Sequence, residues 1–156
     1  MDRIDKDILA LLQDDADLPL AEIAGRVSLS TTPCWRRIQR LQEQGVIQRR
    51  VTLLDAEKLN VGVTVFVLLR TNRHTQEWFE ELRTVVDSIP EVVDFYRMSG
   101  TIDYLLRVKV PDIAAYDEVY KKLTSAIEIF EVSSSFAMEE IKHTTALPLS
   151  YIGTSD

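Results

Sequence analysis

The chain has 156 residues, 46% of them hydrophobic and 28% charged, the proportions of a soluble globular protein of one or two small domains. Its 18 Lys and Arg stand against 25 Asp and Glu, a net charge of −7. Taken alone, that balance argues against a nucleic acid or an anionic membrane as partner. No run of about 18 apolar residues is present, so no transmembrane helix and no membrane partner is expected. Met1 to Asp7 has neither a basic start nor an apolar run, so no secretory signal is expected and the setting reads as cytoplasmic. The single cysteine, Cys34, excludes an internal disulfide framework. Cys34, His74 and His143 lack zinc-ligand spacing, so no metal is expected. No phosphate-loop, dinucleotide, zinc-protease or serine-elbow motif occurs, so neither cofactor nor enzyme activity is expected.

The charge is unevenly spread. Residues 1–60 hold nine basic and ten acidic side chains, and residues 61–156 hold nine and fifteen. Residues 26–50 carry Arg26, Arg36, Arg37, Arg40, Arg49 and Arg50 against Glu43 alone. A partner senses charge over about 8–10 Å, so a basic face sits inside an acidic chain.

Three helices are predicted first. Asp2 caps one, with Asp5 in its first turn and Ile4, Ile8, Leu11 and Leu12 at helical spacing. Asp14-Asp15-Ala16-Asp17 ends it. A second runs from Pro19 to about Val27, with Leu20, Ile23, Ala24 and Val27 on one face. After the turn Ser28-Leu29-Ser30, a third spans about Thr31 to Gln44 and stops at Gly45. Pro33 is tolerated in its first turn, where N–H groups lack helical acceptors. Two short helices, a tight turn and a basic helix make a helix-turn-helix. Gln48 to Leu54 then reads as a strand or linker.

The second half alternates strands and helices. Val61–Arg70, Val92–Met98, Tyr104–Val110 and Glu131–Ile141 read as strands. Thr75–Ser88 reads as a helix burying Trp78, Phe79, Leu82, Val85 and Val86. A further helix from Asp112 has Ile113, Tyr116, Val119, Tyr120 and Leu123 inward. The order βαββαβ is a ferredoxin-like arrangement with helices on one sheet face. The other face needs a cover, which points to a sheet-to-sheet dimer.

On the third helix Cys34, Ile38 and Leu41 fall on the core face, where Cys34 reads as a small buried hydrophobe. Thr32, Trp35, Arg36, Gln39 and Arg40 fall opposite, preceded by Ser30 and Thr31. Arg and Gln make bidentate contacts to guanine and adenine, and Thr and Trp pack on thymine methyls or reach phosphates. Arg37, on the flank, suits an ion pair with the carboxylates of the first helix. Arg49 and Arg50 suit phosphate contacts. The turn Ser99-Gly100-Thr101-Ile102-Asp103 offers backbone N–H groups for a carboxylate and Asp103 for an ammonium, a match to a free amino acid. From spacing alone a plain hairpin turn is the favoured reading. His74 and His143 read as surface residues.

The motifs occur in one order over nearly the whole chain: Asp2-Arg3-Ile4-Asp5, Glu22-Ile23-Ala24, Leu29 to Leu41, Gly45-Val46-Ile47, Pro90-Glu91-Val92 and Ser99 to Leu106. In these the chain resembles the Lrp/AsnC family, the feast/famine regulators. The resemblance implies an α+β fold: an N-terminal, winged-helix-like helix-turn-helix over 1–50, a linker over 51–60, a ferredoxin-like (RAM/ACT-like) domain over 61–145 and a tail over 146–156. It implies a regulator that binds double-stranded DNA as a homodimer, assembles to an octamer and senses a small amino acid between dimers. The effector residues it implies are Met98, Ser99, Gly100, Thr101, Ile102, Asp103 and Tyr104, with Ser133, Ser134 and Ser135 from a neighbouring subunit. Thr31 to Arg37 and Ser134 to Lys142 are similar to a subgroup tied to cysteine desulfuration and branched-chain keto-acid breakdown. Cysteine, leucine and valine are therefore the first effectors to expect. Pro19 stands where the family favours a Ser or Thr cap, and Ser28 where it favours Gly. A ligand-independent DNA-packaging protein and a tetrapyrrole decarboxylase of the same fold are the rival readings.

Overall fold

The structure, a computed structural model, describes residues 1–153 and divides into two compact units. One comprises Met1–Thr52 together with the described residues from Lys142 onward; the other is Leu53–Ile141.

The first unit holds α1 (Arg3–Asp14), α2 (Leu20–Arg26) and α3 (Thr31–Glu43). Asp2 and Asp5 form a reciprocal capping box at the start of α1. Ile8, Leu9, Ile23, Ala24, Val27, Cys34, Ile38 and Leu41 bury together where the three apolar faces meet. Both later helices close alike. Leu29 N donates to Ala24 O and Ser28 N to Gly25 O after α2; Val46 N donates to Leu41 O and Gly45 N to Gln42 O after α3. Each pair is a Schellman closure, which needs its pivot residue at positive φ. Gly45 takes φ 70° freely, whereas Ser28 is held at φ 56°. Pro19 precedes α2 with no side-chain capping bond. Gln48–Leu54 forms no strand among the described residues.

The described tail packs on this unit. Leu149 and Ile152 lie against the three-helix core. Gln13 clamps the Leu147 backbone in both directions, accepting from its N–H at 2.7 Å and donating to its carbonyl at 3.2 Å. Lys6 Nζ donates to Ile152 O at 2.7 Å.

The second unit contains β1 (Val63–Arg70), α4 (Gln76–Asp87), β2 (Val92–Arg97), β3 (Tyr104–Val110), α5 (Ile113–Ala126) and β4 (Glu131–Phe136). The sheet order is β2-β3-β1-β4, with every neighbouring pair antiparallel. Val65, Val67 and Leu69 of β1 alternate inward with Tyr104, Leu106, Val108 and Val110 of β3. Trp78, Leu82 and Val86 of α4 and Tyr116, Val119 and Leu123 of α5 cover that face. Phe66 and Leu68 point the other way, and Phe66 and Tyr96 are exposed in the single chain. Two sequence expectations need correcting. Ile113, expected inward, is 71% exposed at the first position of α5, and Tyr120 is also exposed; the helix buries Tyr116, Val119 and Leu123 instead. β4 ends at Phe136, not Ile141, leaving Met138 and Ile141 exposed: β1 starts at Val63 and its register with β4 reaches no further than Val65 opposite Phe136.

Candidate nucleic-acid interface and ligand cavity

The core packing of α3 fixes which of its side chains face outward. With Cys34, Ile38 and Leu41 buried, Ser30, Thr31, Thr32, Trp35 and Arg36 are exposed and Gln39 is half-buried. Trp35 is 51% exposed, an open apolar surface beside a free cation. Arg36, Arg49 and Arg50 pair with no carboxylate among the described residues. They therefore remain available to an anionic partner. Burial pushes the Cys34 thiol up, against a smaller downward pull from Arg37, which suits a packed hydrophobe better than a reactive thiolate.

The flank of α3 is committed elsewhere. Asp5 is 1% exposed and its carboxylate is the acceptor for three groups. Arg37 Nη1 donates to it at 2.8 Å and to Asp2 at 2.7 Å. Arg40 Nη2 donates to both Asp5 oxygens, at 2.9 and 2.7 Å, and the Asp2 N–H completes the set at 3.2 Å. The Asp5 N–H and the Arg37 guanidinium together hold the Asp2 carboxyl below its ordinary range. Arg37 thus takes the ion-pair role that the sequence suggested. Arg40, expected on the reading face, has its guanidinium turned onto α1 by the same buried carboxylate.

In the second unit, a cavity of about 600 Å³ opens beside the β2–β3 turn. Gly100, Thr101, Ile102 and Asp103 line one side, and Leu68, Arg70, Thr71, His74, Glu131 and Ser133 the other. The turn is pinned by Met98 N donating to Asp103 O and by Asp103 N donating to Leu69 O. Between these bonds the N–H groups of Ser99, Gly100, Thr101 and Ile102 have no acceptor among the described residues. Gly100 sits at φ 115°, a conformation that a side chain would strain. Asp103 Oδ2 accepts the Thr71 N–H at 2.8 Å, and Oδ1 lies 3.9 Å from His74 Nδ1. The arrangement combines unpartnered N–H donors with a carboxylate that keeps acceptor capacity.

Two domain profiles match the chain. Residues 1–48 match a winged helix-turn-helix DNA-binding domain, and residues 64–147 match the Lrp/AsnC ligand binding domain. The chain belongs to the Lrp/AsnC family. It is similar to the DNA-binding transcriptional activator DecR of Escherichia coli K12, 49% identical over 96% of this chain and 99% of that one. Among solved structures, an AsnC family transcriptional regulator from Agrobacterium tumefaciens superposes with a TM-score of 0.94 at 60% identity, covering 97% and 99% of the two chains. A transcriptional regulator in complex with L-Met, from Neisseria meningitidis, gives 0.91 at 34% identity over 96% and 97%. This Lrp/AsnC protein is a DNA-binding transcriptional regulator.

Within the Lrp/AsnC fold the expected ligand residues separate. Gly100, Thr101, Ile102, Asp103 and Ser133 line the cavity; Ser99 adjoins them in the turn. Ser134 turns the other way, its hydroxyl bonded to Tyr116 on the helix side of the sheet. Tyr104 is buried, its ring 5.6–6.0 Å from those of Trp78, Phe79 and Phe95. Met98 and Ser135 do not line the cavity of the single chain. Strand alternation separates Ser133 from Ser134, since neighbours along β4 face opposite sides. Leu68, Arg70, Thr71, His74 and Glu131 had no site role in the sequence reading. The β1–β4 register, which sets Leu68 opposite Ser133 and Arg70 opposite Glu131, brings three of them there, and Asp103 faces Thr71 and His74.

Proposed function

We propose that this regulator reads duplex DNA sequence through Thr32, Trp35, Arg36 and Gln39, with Ser30, Thr31, Arg49 and Arg50 on phosphates. Arg40 contributes mainly by holding α3 to α1. The observation that carries this is the split among the α3 arginines: Arg37 and Arg40 are anchored on Asp5, and Arg36 is free. The protein works as a homodimer assembling toward an octamer through the sheet face that carries exposed Phe66 and Tyr96. Two tethered reading heads gain affinity through effective concentration. An α-amino acid fills the cavity, its carboxylate on the turn N–H groups and its ammonium on Asp103. The L-Met complex of the Neisseria regulator supports that class of ligand. The effector acts only as far as it binds one assembly state better than another.

Electrophoretic mobility shift with operator DNA at fixed salt tests the DNA half. Arg36→Ala is expected to weaken specific binding by about tenfold or more, the worth of a bidentate base contact. Wild-type affinity for Arg36→Ala would remove the reading face. A thermal-shift screen with free amino acids tests the sensing half: a rise in Tm with some and none with others supports it, and no rise with any refutes it.

A further inference from the structure

The charges lining the cavity do not suit every amino acid. Two carboxylates, Asp103 and Glu131, face one guanidinium, Arg70. Arg70 is already engaged: its Nη1 donates to Glu131 Oε2 at 2.7 Å across the β1–β4 register, and its guanidinium lies 5.6 Å from the centre of the Phe130 ring. His74 faces Asp103. The rest of the wall is Leu68, Ile102, Thr71, Thr101 and Ser133, apolar or uncharged.

We propose that this cavity selects α-amino acids with neutral side chains, and that Glu131 sets the selection. The inference rests on the amino-acid reading above. Once the ligand ammonium pairs with Asp103 and its carboxylate with the turn, the side chain meets Leu68, Ile102, Ser133 and the Arg70–Glu131 pair. A second ligand carboxylate drawn to Arg70 either displaces Glu131 or lies beside its like charge. A basic side chain drawn to Glu131 likewise lies beside Arg70. A neutral side chain leaves the pair intact. Arg70 and Glu131 are each about half exposed (49% and 50%), so water screens the penalty and the discrimination is of moderate size.

Isothermal titration of the full chain with L-leucine, L-valine, L-cysteine, L-glutamate and L-lysine tests this, in wild type, Glu131→Gln and Arg70→Gln. In wild type the best neutral amino acid is expected to bind about tenfold or more tightly than L-glutamate, the ratio that one unmet charge-assisted contact supplies. Glu131→Gln frees Arg70 and should raise the affinity for L-glutamate relative to the neutral ligands by about tenfold. Arg70→Gln removes the cation and should give L-glutamate no such relative gain. L-Glutamate or L-lysine equal to or tighter than the neutral ligands in wild type would overturn the proposal. So would an unaltered glutamate-to-neutral ratio in folded Glu131→Gln, checked by circular dichroism. If none of the five binds wild type, the amino-acid reading fails as well; if glutamate or lysine wins, that reading stands and only the selection falls.

Discussion

Asp5 is the most consequential single residue of the DNA-binding unit, and Asp5→Ala tests why. The substitution removes the acceptor of two guanidinium groups and one half of the α1 capping box. Removing one partner from a fully buried ion pair costs about 3–5 kcal/mol, because a charge is left without a counterpart. Here the orphaned charges are not fully buried: Arg37 is 24% exposed and Arg40 48%. Both can rehydrate, and Arg37 retains Asp2, so the expected loss falls to about 2–3 kcal/mol. Urea unfolding read by hydrogen exchange of the α1–α3 amides isolates this unit from the sheet unit. Arg37→Ala alone should cost less, and the double variant should fall short of the sum by about 1–2 kcal/mol, the mark of a shared network. A loss under about 0.5 kcal/mol, or strict additivity, would refute a network held by Asp5.

Acid should loosen the same junction. The Asp2 carboxyl titrates below its unfolded value, so its contribution is present above the ordinary aspartate range and is lost as pH falls through the lowered folded value. Fluorescence melts from pH 6 to 2 should show Asp2→Asn flattening the acid limb, and an unchanged limb would remove the assignment. Ser28→Gly should stabilise α2–α3 by about 0.5 kcal/mol, by releasing a side chain from the left-handed region, less the entropy gained by the unfolded chain. A melting temperature that falls would contradict that strain. Deleting the chain after Ala146 uncovers the core beside Leu149 and Ile152 and should cost about 1–2 kcal/mol in the three-helix unit, measured by the same exchange experiment. DNA affinity should fall steeply with salt despite the net charge of −7, since released counterions follow the local contacts. A flat salt response would count against Arg36, Arg49 and Arg50 as contacts.

The sequence foretold most of the elements, because their cues are local. Asp2 with Asp5, Thr75 before Trp78 and Asp112 before Ala115 each announce a helix start, and each makes its capping bond. The β-rich run Val61–Arg70 and the strand read over Tyr104–Val110 marked β1 and β3. Long-range partners stayed hidden. Arg40 faces outward on a helical wheel, yet a buried carboxylate 35 residues away draws its guanidinium inward. The cavity wall formed by Leu68, Arg70 and Glu131 depends on β1–β4 register, which no short pattern specifies. The role of the tail was equally out of reach, since Leu147, Leu149 and Ile152 carry too few apolar positions to show a period.

The docked tail has a consequence for how the protein is made. The DNA-binding unit is built from the first 52 residues and from the chain beyond Lys142. Its helices leave the ribosome first, but the strip beside Leu149 and Ile152 stays uncovered until those residues follow. Domains usually fold in the order they are synthesised. Here the N-terminal unit gains the cover of Leu149 and Ile152 only after the whole sheet unit, Leu53–Ile141, has been made.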